Sequence, residues 1–300
     1  MKKKIMAVLV AAGMVVSLAA CGGSSQTATG TAESAAETVE SAAESVASAA
    51  ETVESTAADA AESTAEAAAA EDAELVTVTE GKLTMSTNAA FPPYEMTTDS
   101  GDLEGIDIEV AGAIAKKLGL ELQVDDMDFD AALLAAQQGK SDIVMAGVSV
   151  TEERQKVMEF SDSYATGVQV IIVKEDSEIA SVEDLEGKMI GTQRGTTGNI
   201  YCTDDYGEDH ITTYDNGLTA VQALMNGQVD CVVIDQEPAK AFVAANQGLK
   251  ILETEYVSED YAIGMAKGNT ALQSAVNKAL AELQEDGTVQ SIVDKYIAAK

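Results

Sequence analysis

From residue 82 onward, short apolar runs alternate with segments in which apolar residues recur every three or four positions. The runs at 82–87, 120–124 and 142–148 predict strands. The segments 106–118 and 129–138 predict helices, each ended by a glycine. The run 142–148 is continuously apolar, which is typical of a parallel strand covered on both faces. Strands that alternate with helices predict an α/β fold.

One part of this pattern occurs twice. The segment "LLAAQQGKSDIVMAG" at 133–147 is similar to "AVQALMNGQVDCVVID" at 220–235, and each reads as a helix, a glycine, an aspartate and an apolar strand. We interpret the copies as parts of two similar α/β lobes. Ligands of open α/β sheets bind at the carboxyl ends of the strands, so two facing lobes predict a binding cleft.

The N-terminal segment departs from this pattern. Residues 1–20 contain three lysines, an apolar stretch and small residues, as export signals do, and the stretch is too short for a good transmembrane span. The sequence "LAACG" that ends at Gly22 resembles a bacterial lipobox, which implies that Cys21 is lipidated. The alternative is an ordinary secretory signal with a chance cysteine.

Residues 21–74 consist almost entirely of Ala, Glu, Ser and Thr, and the unit "SAAETVE" stands at 34–40 and again at 48–54. The seven-residue period is compatible with an alanine-rich coiled coil. However, the segment has no large side chains whose burial would offset the entropy of ordering. We therefore interpret it as a solvated, partly helical spacer.

The chain is strongly acidic, with 18 Lys and Arg against 51 Asp and Glu and a formal net charge of −33. This charge argues against nucleic acid and anionic lipid as partners. The single histidine, His210, and the scattered acids indicate no metal site, cofactor or nucleophile–base pair. Cys202 and Cys231 either pair or remain free, and the apolar run around Cys231 suits a buried thiol.

A rare arginine stands directly after the run 142–148, in the segment "GVSVTEERQ" at 147–155. Ser149 and Thr151 are candidate helix caps, and the N-terminus of a helix favours anions. The planar guanidinium of Arg154 matches a carboxylate through two hydrogen bonds. The segment therefore predicts a socket for a ligand carboxylate; the alternative is a surface arginine paired with a nearby glutamate.

The predicted second lobe offers groups that complement this socket. The segment "GTQRGTTGN" at 191–199 presents small and hydroxyl residues at a predicted helix start, and it lacks the GK[ST] signature of a phosphate loop. Asp235 follows the second apolar strand, where it is a candidate to hold an ammonium group, to cap a helix, or to do both. Phe91, before two prolines, and Phe129 are candidates to cover an apolar ligand surface, with core packing as the alternative. Together these groups describe a free α-amino acid.

Four segments, in this order over about 82–298, carry a family resemblance: "STNAAFPPYE…GIDIEVAGAIAKKLG", "MDFDAALLAAQQGKSDIVMAGVSVTEERQKVMEFSDSY", "VEDLEGKMIGTQRGTTGN" and "EDGTVQSIVDKY". They resemble the family 3 extracellular solute-binding proteins, which are polar amino-acid receptors of ATP-driven importers. The resemblance implies the type II periplasmic-binding-protein (Venus-flytrap) fold. Lobe 1 would comprise 75–168 and 262–300, and lobe 2 would comprise 169–261. The hinge crossovers are expected near 166–169 and 256–262.

The resemblance also implies roles for the site residues. Arg154 is expected to bind the α-carboxylate of the ligand. The hydroxyl of Ser149 and the backbone N–H groups of Gly147 and Thr197 are expected to help it.

The other roles concern the amino group and the side chain of the ligand. Asp235 is expected to hold the α-ammonium, and Phe91 and Phe129 to stack on the side chain. Asn88 stands where some relatives that bind cationic ligands carry an acid, and Arg194 stands where a variable residue faces the side chain. The expected ligand is therefore glutamine or another neutral polar amino acid.

The function implied is that of a monomeric receptor without a cofactor. It is expected at the extracellular face of the cytoplasmic membrane (or in the periplasm), anchored through Cys21, where it delivers its ligand to the membrane permease of an ABC importer. Two alternatives remain open at this point: an exported dehydratase-like enzyme on the same scaffold, and a ligand sensor.

Overall fold

The computed structural model describes residues 75–297, so the predicted signal, Cys21 and the spacer lie outside the described residues. The strands are β1 (Lys82–Thr87), β2 (Ala90–Phe91), β3 (Glu95–Thr97), β4 (Leu103–Glu104), β5 (Glu121–Asp126), β6 (Ile143–Val144), β7 (Met158–Lys174), β8 (Ile190–Gln193), β9 (Ile211–Tyr214), β10 (Cys231–Asp235), β11 (Leu249–Ile251) and β12 (Val257–Ala266). The α-helices are α1 (Ile106–Lys117), α2 (Phe129–Gln137), α3 (Glu152–Gln155), α4 (Thr197–Tyr206), α5 (Gly217–Met225), α6 (Gln236–Ala245), α7 (Thr270–Glu285) and α8 (Thr288–Tyr296).

One mixed sheet contains nine of the strands, in the order β5-β1-β6-β12-β7-β10-β8-β9, and β11 also pairs with β7. The first end of the sheet (β5, β1 and β6) is parallel, and so is the second end (β10, β8 and β9). The antiparallel pair β7 and β12 joins the two ends. The predicted α/β alternation is therefore confirmed, with one repeated copy in each end.

The repeated aspartates have a structural role in both copies. Asp142 accepts the backbone N–H of Thr84, on the neighbouring strand β1, at 2.7 Å, and Asp230 accepts that of Met189, just before β8, at 2.8 Å. Each carboxylate thus ties the start of its own strand to the strand beside it. The sequence echo reflects the same strand-pairing device used twice.

The predicted helix at 106–118 forms α1, which ends at Lys117. Val110 and Ile114, four residues apart, are fully buried in the core. Gly119, at φ 71°, takes the left-handed conformation that suits a residue just beyond a helix. The apolar residues that recur every four positions thus mark the face of α1 that packs on the sheet.

The predicted strand at 142–148 is shorter than expected, because only Ile143–Val144 form regular strand pairs. β6 is parallel to β1 but antiparallel to β12, so the sheet around it is mixed. The residues from 145 to 149 are still buried, and Gly147 turns the chain at φ 57°. The apolar residues of 142–148 therefore form a short strand and then a buried turn, through which the chain leaves the sheet.

The two predicted crossovers lie opposite each other on β7 and β12. Val257 pairs with Gln169 and Glu259 pairs with Gly167, and the register shifts on either side of Ala262. Gly167 accommodates the ring of Tyr261, because a Cβ at this glycine would stand 2.4 Å from ring atoms. The hinge and the lobe boundaries remain predictions.

Cys202 and Cys231 are both buried and free. Burial raises the pKa of the Cys202 thiol to about 12, so this thiol is protonated at neutral pH. Within residues 75–297, no helix has the length and apolar character needed to cross a membrane.

Candidate ligand-binding site

A cavity lies where the carboxyl ends of the parallel strands of both sheet ends meet. It encloses ≈ 300 Å³ of space, part of it open to solvent. Its walls come from the segments that follow β1, β5, β6 and β8 and from the last residues of β8 and β10. The lining residues are Asn88, Phe91, Glu95, Phe129, Ala146, Gly147, Ser149, Arg154, Gln193, Thr196, Thr197 and Asp235. Eight of the nine predicted ligand-binding residues are among them, and Arg194 is not.

Arg154 is buried at the cavity wall, with 9 % of its surface exposed. Thr151 caps the short helix α3, since its hydroxyl accepts the backbone N–H of Arg154 at 3.2 Å. The guanidinium donates to the carbonyl of Ser149 at 2.7 Å and to that of Gly195 at 3.1 Å. Burial lowers the pKa of Arg154, although it is still protonated at neutral pH. The alternative of a surface arginine is therefore wrong.

The guanidinium also rests on an aromatic ring. Its Cζ lies 5.6 Å from the ring centroid of Phe129, within the range of a cation–π contact. Because Gly195 follows β8 and Arg154 follows β6, one side chain connects the two ends of the sheet across the cavity.

The hydroxyls of Ser149 and Thr197 lie 3.4 Å apart at the same end of the cavity. Both contact the carboxylate of Glu259: Thr197 Oγ1 at 2.6 Å and Ser149 Oγ at 3.2 Å from Oε2. The hydroxyl of Tyr201 donates to Oε1 of Glu259 at 2.9 Å. Sequence reasoning missed Glu259; the available signal was its place in the predicted crossover 256–262.

The backbone of Gly147 departs from its expected role. Its N–H donates to Oδ2 of Asp107 at 3.0 Å, so this N–H is not free for a ligand carboxylate. The position requires glycine, because φ is 57° and a Cβ would stand 2.8 Å from the ring of Phe91. Gly147 thus lets the aromatic ring approach the chain.

Asp235 ends β10 and occupies the N-cap position of α6, as the helix-cap alternative predicts, but its side chain makes no capping hydrogen bond. Its Oδ1 accepts a short hydrogen bond from the hydroxyl of Tyr261, and its Oδ2 accepts the amide of Gln169 at 2.9 Å. Burial raises the pKa of Asp235 to about 7, although the hydrogen bonds from Tyr261 and Gln169 act to lower it. Tyr261 was missed because it reaches Asp235 across the sheet.

Arg194 lies outside the cavity, which corrects its predicted position. Its side chain is 53 % exposed and donates to Asp215 at 2.8 Å. The preceding residue, Gln193, is buried and faces the cavity, because it is the last residue of β8 and side chains alternate along a strand. Gln193 donates through Nε2 to Oδ1 of Asn88 at 3.0 Å.

This opposite end of the cavity is rich in unpaired acceptor atoms. Glu95 has 0 % of its surface exposed, and neither of its carboxyl oxygens accepts a hydrogen bond from the described residues. Oε1 of Gln193 likewise lacks a partner within that part of the chain. Both polar atoms of the Asn88 amide have a partner, since Nδ2 donates to the carbonyl of Met127 at 2.8 Å and Oδ1 accepts from Gln193. Glu95 was missed because it lies within the turn-rich stretch after the two prolines.

The two predicted aromatics both line the cavity. Phe91 stacks on Tyr94, with the ring centroids 5.9 Å apart and an interplanar angle of 29°. Phe129 carries the guanidinium of Arg154 on its face. Both rings are 5 % exposed, so each packs in the core, as the alternative interpretation predicts. Each ring also forms part of the cavity wall. Within residues 75–297, no His, Cys, Asp and Glu cluster offers a metal site.

Comparison with known proteins agrees with this geometry. The family model of the bacterial extracellular solute-binding proteins, family 3, matches residues 83–299. The L-cystine-binding protein TcyJ of Escherichia coli is 30 % identical over 73 % of this chain and 84 % of its own length. The arginine-binding extracellular protein ArtP of Bacillus subtilis is 32 % identical over 73 % of this chain and 87 % of its own length.

Solved structures give the same result. An ancestral arginine-binding protein bound to glutamine superposes with a TM-score of 0.70 at 41 % identity, covering 74 % of this chain and 100 % of that one. Its arginine-bound form gives 0.69 at 42 % identity, covering 73 % and 99 %. These neighbours confirm the predicted two-lobed fold. The chain belongs to the bacterial extracellular solute-binding proteins of family 3.

Proposed function

We propose that this protein is an extracellular receptor that binds one free polar amino acid in the cavity and delivers it to the permease of an ATP-driven importer. The observation that carries the proposal is the pair of opposite charges on the cavity walls. Arg154 and Asp235 are both buried, and both line the same space. A buried cation and a buried anion facing one cavity suit a zwitterion that is desolvated there.

The carboxylate of the ligand would contact the guanidinium of Arg154. That group is preorganised, because the carbonyls of Ser149 and Gly195 and the ring of Phe129 fix its plane. The N–H groups at the start of α4, where Thr197 is the first helical residue, favour an anion at the same place. The hydroxyls of Ser149 and Thr197 would join them after leaving Glu259.

The ammonium of the ligand would contact Asp235. Tyr261 and Gln169 hold this carboxylate in position. A neighbouring cation favours the ionised carboxylate, so ligand binding would lower the raised pKa of Asp235. The hydrogen bond to a charged group contributes about 1.5–3 kcal/mol to the affinity.

The side chain of the ligand would meet the unpaired acceptors of Glu95 and Gln193. Acceptor atoms without partners can accept hydrogen bonds from N–H donors, which a guanidinium or a terminal amide supplies. Arginine and glutamine, the ligands bound in the structural neighbours, both have such donors. We therefore extend the expected neutral polar ligands to include arginine.

The mechanism is closure of two lobes around the ligand. We propose lobe boundaries at 75–168 with 262–300 and at 169–261, with the hinge in the paired segments of β7 and β12. Direct contacts such as Gln193 with Asn88 already link the two sides of the cavity. A ligand that bonds Arg154 and Asp235 together adds contacts that only the closed state makes, and it therefore shifts the population toward closure.

The finer features of the function are also proposals. We propose that residues 1–20 direct export, that Cys21 is lipidated, that 21–74 is a spacer, and that the receptor acts as a monomer with a membrane permease. Substitution Cys21→Ser should move the protein from the membrane fraction to the soluble fraction. Retention in the membrane would contradict the lipid anchor.

Ligand binding is tested by thermal unfolding of the exported Cys21→Ser protein with each of the twenty amino acids, cystine and ornithine. A ligand at a hundred times its Kd stabilises the folded state by about 2.7 kcal/mol, which raises Tm by several degrees. A shift with arginine, glutamine or both is expected, with the ligand recovered chemically unchanged. No shift with any amino acid would contradict the receptor function, and chemical conversion of the ligand would favour the dehydratase-like alternative.

A further inference from the structure

The cavity wall and the residues directly behind it contain more buried acid than the buried base can balance. Glu95 (0 % exposed) and Asp235 (6 % exposed) line the cavity, and Asp107 (0 % exposed) accepts the backbone N–H of the lining residue Gly147. The one cation among the cavity-lining residues is Arg154. If all three carboxyl groups were ionised, two negative charges would be buried without a counterion. Such an arrangement is strongly unfavourable, and proteins relieve it by retaining protons.

The hydrogen-bond donors around these acids show where a proton is needed. Asp235 accepts two side-chain donors. Asp107 accepts the backbone N–H of Gly147 at 3.0 Å and the hydroxyl of Tyr164 at 2.8 Å. Glu95 accepts no donor from the described residues, although it is as deeply buried. Of the three acids, Glu95 is therefore the one without stabilisation of its charged form.

Glu95 and Asp107 lie within hydrogen-bonding reach of each other. An ionised carboxylate has only acceptor atoms, so two carboxyl groups can bond each other only when one carries a proton. Because Asp107 already has donors from Gly147 and Tyr164, the proton belongs on Glu95, which then donates to Asp107.

We propose that Glu95 holds a proton in the unliganded protein, that a cationic ligand side chain displaces this proton on binding, and that a neutral ligand leaves it in place. The inference rests on the proposed function of the same cavity. In the exchange, the Glu95 O–H bond breaks, the proton passes to the solvent, and the carboxylate left behind accepts N–H donors from the ligand cation. One positive charge replaces another, so the net charge of the buried site is unchanged.

The surroundings of Glu95 support this exchange. Burial raises the pKa of Glu95 well above its usual value, and the negative charges of Asp107 on α1, Asp235 on β10 and Asp126 on β5 raise it further. The remaining titratable neighbours are Tyr94 and Tyr164, both with raised pKa values and both neutral at pH 7.

The exchange makes the choice between ligand classes depend on pH. Every amino acid brings an ammonium group to Asp235 and releases the proton fraction that Asp235 holds, so this part of the pH dependence is common to all ligands. Below the pKa of Glu95, the association constant of L-arginine should rise with pH about tenfold per pH unit more steeply than that of L-glutamine, because one further proton leaves for each L-arginine bound. Acidification would therefore favour neutral ligands over cationic ones.

The test is isothermal titration calorimetry of the exported Cys21→Ser protein at pH 7 in phosphate and in Tris, two buffers with different ionisation enthalpies. The difference in heat gives the number of protons released. L-Arginine is expected to release about one proton more than L-glutamine, because the release from Asp235 is the same for both ligands. Equal proton release by the two ligands would overturn the inference and leave the proposed function intact. Binding of neutral amino acids alone, with no cationic amino acid bound between pH 6 and 9, would also overturn it.

The variant Glu95→Gln separates the proton from the shape of the side chain. The amide keeps an N–H donor toward Asp107 and has no proton to release. L-Arginine should bind about tenfold more weakly, and L-arginine and L-glutamine should then release equal numbers of protons. The matched control is Glu121→Gln, an exposed glutamate on β5. If L-arginine still released about one proton more than L-glutamine in Glu95→Gln, the inference would be overturned. If the wild-type protein bound no amino acid at all, the proposed function itself would be overturned.

Discussion

The two ends of the cavity differ in how completely their polar atoms are paired. At the end around Arg154, the guanidinium and both hydroxyls already have partners in the protein, and the carboxylate of Glu259 occupies the hydroxyls. At the end around Glu95, buried acceptor atoms have no partner among the described residues. The first end is a closed network, and the second end is open to donors from a ligand.

This difference assigns different energetic roles to the two ends. At the paired end, a ligand carboxylate exchanges existing contacts for new ones, and the gain comes from charge and from preorganised geometry. At the unpaired end, a ligand that lacks donors leaves buried acceptors unsatisfied, which discriminates strongly between side chains. Affinity for the amino-acid backbone and choice of side chain are therefore separable by mutation.

The largest loss is expected from Arg154→Ala. The variant removes the cation that meets the ligand carboxylate and leaves a desolvated anion without a partner. We expect a loss of affinity of about 3 kcal/mol, or about a hundredfold, for every amino acid that the protein binds. Titration calorimetry measures the affinity, and circular dichroism checks that the variant is folded. A loss confined to one side-chain class would contradict the division between the two ends.

A smaller loss is expected from Asp235→Asn. The amide retains the shape of the side chain, but it has no charge for the ligand ammonium. We expect affinity for an α-amino acid to fall by about 2 kcal/mol. The same variant should affect the des-amino analogue of that ligand much less, and the two titrations together isolate the ammonium contact. Equal losses for both compounds would show that Asp235 acts through the packing of Tyr261 and Gln169.

A gain is expected from Glu259→Gln. The Glu259 carboxylate accepts a hydrogen bond from the hydroxyl of Thr197. It also adds a negative charge beside the place proposed for the ligand carboxylate. The variant removes that repulsion and releases the hydroxyls for the ligand. We expect binding to tighten by about 0.5–1 kcal/mol for all ligands. Weaker binding in calorimetry would mean that Glu259 mainly orients the hydroxyls for the ligand.

The paired end was more accessible to prediction from the sequence than the unpaired end. Arg154 and Asp235 follow apolar runs, and residues that follow strands in an α/β sheet meet at its binding edge. Phe91 was recognised because an aromatic stands directly before two prolines. Each of these signals is local in the sequence.

The residues that were missed depend on contacts that the local pattern does not contain. Glu259 and Tyr261, on β12, contact cavity-lining residues from more than twenty residues after Asp235 in the chain. Gly147 was expected to offer its N–H, but that group donates to Asp107, forty positions away. Which atoms remain unpaired is decided by tertiary contacts, so the acceptor-rich character around Glu95 could not be read from the sequence.

The smallest effect is expected from Arg194→Ala, which is the matched control for Arg154→Ala because the sequence contains only these two arginines. Arg194 immediately follows β8, and its exposed ion pair with Asp215 contributes little in water. We expect the affinity for any ligand, and the free energy of unfolding, to change by less than about 0.5 kcal/mol.

The neighbouring substitution Gln193→Ala shows whether this small effect is specific to the outward face of the chain. It removes the buried hydrogen bond to Asn88 at the unpaired end of the cavity. The ratio of the affinities for arginine and glutamine should therefore change in Gln193→Ala and stay constant in Arg194→Ala. A changed ratio in Arg194→Ala alone would place the side-chain selectivity on the outer rim of the cavity, because only there could an exposed guanidinium reach the ligand.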